Sequence, residues 1–239
     1  MATSAVSTLP VLDSKSNPPR LFDGTTRLYL SLQCPYAQRV WIARNFKQLE
    51  DIELIAIDLA DKPKWYLEKV YPSGQVPALE HDGKVKGESL DLLEYIDDNF
   101  KGPSLFPQAD LKKEAAKSLL TYTDELNKAA FGTLRNKDAT KEDCVEIIGP
   151  ALDYLENAFG SFTEEGPYFL GEISGVDFAY APFIERYNIL LPEFFDYDLF
   201  EGRPKLHKWF EAMNTLTAYT NTKAKSKDLV DRYKKMLGR

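Results

Sequence analysis

Strand-type sequence alternates with helix-type sequence up to Phe100 and then stops; beyond Asp110 only helical patterns remain. One switch of this kind divides a chain into a small α/β part and an all-helical part, because strands interleaved with helices build a layered sheet while successive amphipathic helices pack on one another. Leu28, Leu30 and Leu32 alternate with Tyr29 and Ser31 as in a short strand, and IELIAIDLA (52–60) is a second strand too apolar for a surface. VPALEHDGKVKGES is a hairpin turning at Asp82-Gly83. Between them lie a helix in AQRVWIARNFKQL, with Arg39 and Arg44 reaching water, and a short helix in KPKWYLEKVYP closed by Pro72 and Gly74. LDLLEYIDDNF sets Leu92, Leu93 and Ile96 on one side and Asp97 and Asp98 on the other. After the Gly/Pro-rich GPSLFPQAD, helices are expected over 110–136, 141–160, 175–190, 203–216 and 226–237, with Gly149-Pro150 marking a break in the second.

The order β-α-β-α-β-β-α is a thioredoxin-like arrangement. The expected fold class is therefore an α/β thioredoxin-like N-terminal domain (25–102), a linker (103–109) and an all-α C-terminal domain (110–239). A chain of 239 residues accommodates two such modest domains. Residues 1–24 are rich in Ser, Thr and Pro and have no compact apolar segment. Asp13, Asp23 and a lone arginine, Arg20, set them apart from a plastid transit peptide, so they read as a flexible extension on a cytoplasmic protein.

Charge and composition exclude several functions. With 37 acidic against 30 basic side chains, a net charge of −7 and a pI near 5.1, the surface repels phosphate, which argues against a nucleic-acid partner. The seven basic residues within 223–239 read as one solvated face of a terminal helix. No long apolar run marks a membrane partner. Two cysteines, Cys34 and Cys144, cannot form a disulfide scaffold, and two histidines, His81 and His207, are too few for a histidine-rich site, so no metal is expected. Cys144 receives no role.

The most informative residues are Cys34-Pro35-Tyr36-Ala37. Proline suits the first turn of a helix, where its missing N–H would be unpaired anyway. Cys34 is thereby placed at the helix start, whose amides and dipole favour an anion and hence a reactive thiolate. Ala37 occupies the place of a resolving thiol, so a mixed disulfide on Cys34 needs an external thiol to release it. Farther on, Val76-Pro77 precedes a strand and offers backbone for pairing with a peptide. Ser89 is placed as N-cap of the helix that follows, with Glu88 beside it to accept from an ammonium, and Lys62 adds a cation.

CPYAQRVW, KPKWY, GQVPALE and Glu88-Ser89 together, at their spacings, resemble the glutathione transferase superfamily, most nearly the cysteine-type lambda class of plants and next the omega class. The resemblance covers about residues 27–235. It implies glutathione as co-substrate, with Cys34 the catalytic cysteine, Tyr36 the aromatic position beside it and Lys62 near the glycyl carboxylate. It further implies that the Val76 main chain pairs with the cysteinyl portion, that Pro77 is a cis-proline, and that Glu88 and Ser89 hold the γ-glutamyl end. Ile173–Asp177 resembles the family's capping motif, and Ser174 with Asp177 forms an S-x-x-D capping box that serves folding. The implied activity is monothiol thiol transfer, reducing mixed disulfides and S-glutathionyl adducts of small aromatic molecules, in a monomer. Two alternatives are a non-catalytic carrier of aromatic ligands such as flavonoids and a membrane-inserting channel, which would need a bilayer-spanning apolar stretch.

Overall fold

The computed structural model describes residues 9–159, 162 and 166–238, and the chain forms two units. The first ends at Leu105 and also contains Thr217–Lys223; the second holds Phe106–Leu216 and the chain from Ala224 onward. Residues 1–8 of the expected extension, 160 at the end of the expected helix 141–160, and 239 lie outside the described residues.

Five strands in the first unit, β1 (Val11–Leu12), β2 (Arg27–Leu30), β3 (Glu53–Ile57), β4 (Ala78–His81) and β5 (Lys84–Lys86), form one mixed sheet ordered β1-β3-β2-β4-β5. β3 runs parallel to both β1 and β2, while β4 is antiparallel to β2 and β5. Asp82 and Gly83 both take positive φ (50° and 69°), as a two-residue hairpin turn requires. All four residues of β2 are buried. Tyr29 meets the Tyr66 ring at 5.3 Å and its hydroxyl donates to Glu80 at 2.7 Å. Arg27 is buried because Asp23, Glu53 and Glu80 all pair with it, at 2.9, 2.9 and 3.1 Å. The expected alternation of β2 does not extend to Leu32: the strand ends at Leu30 and the chain turns, Cys34 N–H donating to the Ser31 carbonyl at 3.0 Å.

The expected flexible extension 1–24 is corrected over its described part. Val11 and Leu12 pair with Ala56 and Ile57, the Asp58 N–H donates to Leu12 O at 2.9 Å, and Trp65 Nε1 donates to Ser16 O at 2.9 Å. The outer edge of β3 supplies the backbone partners that such a short strand cannot supply for itself.

Helix α1 (Pro35–Phe46) packs against helix α2 (Ser89–Asn99) and against the short helix Thr217–Thr220. Gln38 donates to Thr222 Oγ1 (3.1 Å) and Asn45 to the Ala218 carbonyl (3.2 Å), so Thr217–Lys223 belongs with the first unit and not with the helical domain expected over 110–239. With its surface covered this way, α1 is buried from Ala37 to Ala43, and Arg39, expected in water, is 2% exposed. Tyr66–Val70, expected as a short helix, is a π-helical turn closed by Tyr71 N–H on Tyr66 O at 2.8 Å. Leu92, Leu93 and Ile96 of α2 are fully buried as their spacing predicts. Asp97 is not simply solvated: it accepts from Lys47 (2.9 Å), Leu105 N–H (2.9 Å) and Ser104 (3.1 Å), and Lys47 also donates to Pro103 O (3.0 Å). Residues 103–105, expected as linker, are therefore fastened to the first unit.

In the second unit, α3 (Asp110–Arg135), α4 (Gly149–Ala158), α5 (Gly175–Phe195), α6 (Pro204–Thr215) and α7 (Ser226–Leu237) are the main helices. A π-helical turn over Cys144–Ile148 precedes α4 and leaves Pro150 in its first turn, where no N–H is missed. α5 is buried at every position from Gly175 to Tyr187 and runs through Pro192, five residues past its expected end. Ser174 is its N-cap. The Asp177 carboxylate accepts from the Ser174 N–H (2.8 Å) and hydroxyl (2.9 Å), and also from Phe169 N–H (3.2 Å) and Trp209 Nε1 (2.8 Å), so one side chain caps α5 and ties it to α6. No helix among the described residues is long and apolar enough to cross a membrane.

Candidate active site

The turn at Ser31 delivers the chain to Cys34, which is the N-cap of α1 with extended backbone (φ −86°, ψ 119°); Pro35 follows as the first helical residue. Cys34 is 9% exposed and its Sγ is 3.8 Å from the Val76 carbonyl oxygen, a contact between the helix start and the segment that enters β4. The Val76–Pro77 peptide is cis.

Beside this contact the first unit encloses a cavity of about 460 Å³. Tyr36, Lys62, Val76, Pro77, Glu88 and Ser89 all line it, so six positions spread over more than fifty residues of sequence meet at one place. Leu59, Tyr71, Gly74 and Gln75 complete the wall. Cys34 adjoins it through Val76. Among the described residues no group of three or more His, Cys, Asp or Glu is disposed to hold a metal.

Local backbone explains much of the wall. Glu88 sits at φ +61°, a conformation costly for a side chain other than glycine and characteristic of constrained functional segments. It is held there between Gly87, where a Cβ would run into the Tyr71 hydroxyl, and Ser89, the first residue of α2. Ser89 does not serve as the expected N-cap: that place is taken by Glu88, and the buried Ser89 hydroxyl instead accepts from Arg39 Nη1 at 3.1 Å. Tyr36 is 39% exposed and carries the Arg39 guanidinium 5.4 Å from its ring centroid.

Sequence reading passed over Tyr71, which lines the wall, and Arg39, which supports it. Arg39 stands three residues after Tyr36, one turn on along α1, a spacing that would have flagged the contact. Tyr71 carries no local signal at all, because its role follows from contact with Gly87. The second cysteine is apart from this chemistry. Cys144 is fully buried in the second unit, and burial pushes its thiol up to about 11.

The chemical character of the cavity is thus a cation (Lys62), a carboxylate (Glu88), a hydroxyl backed by a buried guanidinium (Ser89 and Arg39), the lining residue Val76, and a thiol at its edge. Comparison with known proteins decides the family. Residues 28–104 match the model of the glutathione S-transferase N-terminal domain and residues 138–212 that of the C-terminal domain. The chain belongs to the glutathione S-transferase family. Its relatives include glutathione S-transferase L1 of Arabidopsis thaliana, 51% identical over 95% of this chain and 93% of that protein. Protein IN2-1 homolog B of Oryza sativa subsp. japonica is 52% identical over 91% and 88%. Omega-class likeness is more distant: the solved glutathione transferase Omega 3C of Trametes versicolor superposes with a TM-score of 0.76 at 25% identity, over 92% of this chain and 93% of that one. This family member therefore stands nearer the lambda class than the omega class, and its thioredoxin-like domain and helical domain are those of glutathione transferases.

Proposed function

We propose that the chain catalyses glutathione-dependent thiol transfer through Cys34. The observation that carries this reading is the position of Cys34 at the start of α1, its sulfur 3.8 Å from Val76 O, at the edge of the cavity that gathers Lys62, Val76, Glu88 and Ser89. Glutathione carries two carboxylates, one ammonium and a peptide backbone. The cavity offers a counterpart to each: Lys62 and the Ser89 corner for the carboxylates, Glu88 for the ammonium and the Val76 backbone for the peptide.

In the first step the Cys34 thiolate attacks the glutathionyl sulfur of a mixed disulfide. The Cys34–glutathione bond forms, the substrate's S–S bond breaks, and the substrate leaves as a thiolate that takes a proton. In the second, the thiolate of reduced glutathione attacks that new disulfide. Oxidised glutathione leaves and Cys34 is a thiolate again. Ala37 in place of a nearby thiol is what makes the second glutathione necessary. The substrates are aromatic molecules that carry glutathione in a mixed disulfide, for which the half-exposed Tyr36 ring offers a face, and the protein works as a cytoplasmic monomer. Intact-mass spectrometry after incubation with oxidised glutathione tests the cycle. One adduct on Cys34, removed by reduced glutathione, is expected; no adduct, or one on Cys144, overturns the reading.

A further inference from the structure

Arg39 reaches two cavity-lining residues from behind the wall. Its Nη1 is 3.1 Å from Ser89 Oγ on α2, and its guanidinium carbon lies 5.4 Å from the centroid of the Tyr36 ring on its own helix. Arginine donates hydrogen bonds and accepts none. The contact must therefore occupy a lone pair of Ser89 Oγ, and the hydroxyl proton is left to be given to something else. Ser89 is also the first residue of α2, an eleven-residue helix whose opening amides likewise only donate. A hydroxyl forced to donate, a helix N-terminus and a guanidinium 2% exposed make this corner of the cavity complementary to an anion.

We infer that Arg39 is a positioning residue: it fixes the Ser89 hydroxyl as a donor to a ligand carboxylate and braces that donor against the helix that begins at Cys34. The inference rests on the glutathione reading above and sharpens it. The group held at Ser89 is the α-carboxylate of the γ-glutamyl end, and removing that carboxylate costs the ligand what removing Arg39 costs the protein.

Calorimetric binding of reduced glutathione and of an analogue lacking only that carboxylate, 4-aminobutanoyl-cysteinyl-glycine, tests this. Wild type is expected to prefer glutathione by about tenfold to a hundredfold. Arg39→Met abolishes the preference by weakening glutathione and leaving the analogue unchanged, and it raises KM for glutathione with little change in kcat. Arg39→Lys, which keeps a donor, recovers part of the preference. A merely structural role would weaken both ligands together or neither, and either result overturns the inference, as does a wild type with no preference. If Arg39→Met does not fold, Arg39→Lys and Ser89→Ala carry the comparison: both must narrow the preference, and an undiminished one overturns the inference. A wild type that binds neither ligand overturns the glutathione reading itself.

Discussion

Cys34 Sγ lies 3.8 Å from the carbonyl oxygen of Val76, so the thiol at the head of α1 meets the backbone that leads into β4 across forty-two residues of chain. That meeting gives the sulfur a fixed place at the cavity edge while leaving little of the fold dependent on its chemistry, since serine differs by one atom. Cys34→Ser is expected to lower glutathione-dependent disulfide reduction by more than about 1000-fold, the scale seen when an attacking nucleophile is removed. The melting temperature should stay within about 2 °C of wild type. Turnover that persists in this variant, with the protein folded, removes Cys34 from the mechanism.

The two thiols should differ sharply toward alkylation. Cys144 has no exposed surface, and burial, with Asp143 next to it, holds its thiol up at about 11. Iodoacetamide at neutral pH is expected to label Cys34 in the native protein and to reach Cys144 only after denaturation, as peptide mass mapping would report. Native labelling of Cys144 at a comparable rate would mean that the π-helical turn over Cys144–Ile148 opens readily.

Lys47 and Asp97 fasten α1, α2 and residues 103–105 through one ion pair at 2.9 Å, and Lys47 is almost wholly buried. Burial alone would raise the Asp97 carboxyl, but the Lys47 bond and the Leu105 N–H outweigh it and hold it below the usual carboxylate range. Its folded value thus lies below its unfolded one, so its stabilisation is present above about pH 4 and is lost as pH falls further. Asp97→Ala leaves a buried ammonium without its carboxylate and is expected to cost about 3 kcal/mol in urea unfolding at pH 7. Lys47→Met with Asp97→Leu, which removes both charges, should recover most of that loss. A double-variant loss equal to the sum of the Lys47→Met and Asp97→Leu losses would show that the pair contributes no coupling.

Much of this architecture was readable from local pattern. Leu92, Leu93 and Ile96 fall on one helical face by spacing alone, and Asp82-Gly83 announces its turn by residue type. Lys62, Val76, Pro77, Glu88 and Ser89 could be named in advance and do line one cavity. What escaped has long-range causes. β1 is two residues long and has no period of its own; its pairing is decided by the exposed edge of β3. Arg39 reads as a solvated helical charge until Ser89, fifty residues on, supplies its partner. Thr217–Lys223 looks like part of the helical domain until Gln38 bonds Thr222. In each case the deciding contact joins segments that sequence proximity cannot relate.

Asp177 tests how the second unit balances burial against hydrogen bonding. It is fully buried, which pushes its carboxyl up to about 6, although four donors, from Ser174 twice, Phe169 and Trp209, pull the other way. With the folded value above the ordinary 3.8, the folded state holds this proton more firmly than the unfolded chain does. Its contribution to stability is therefore greatest below about pH 4, declines as pH rises to about 6 and is constant beyond. Two pH units correspond to about 3 kcal/mol. Asp177→Asn abolishes the titration and sets an amide NH₂ against groups that donate, so it should destabilise at every pH. Urea unfolding of both proteins between pH 4 and 7 is expected to show that its penalty is larger at pH 4 than at pH 7. A penalty that instead grows toward pH 7 would show that the four donors prevail over burial and that Asp177 stays charged in the folded protein throughout this range.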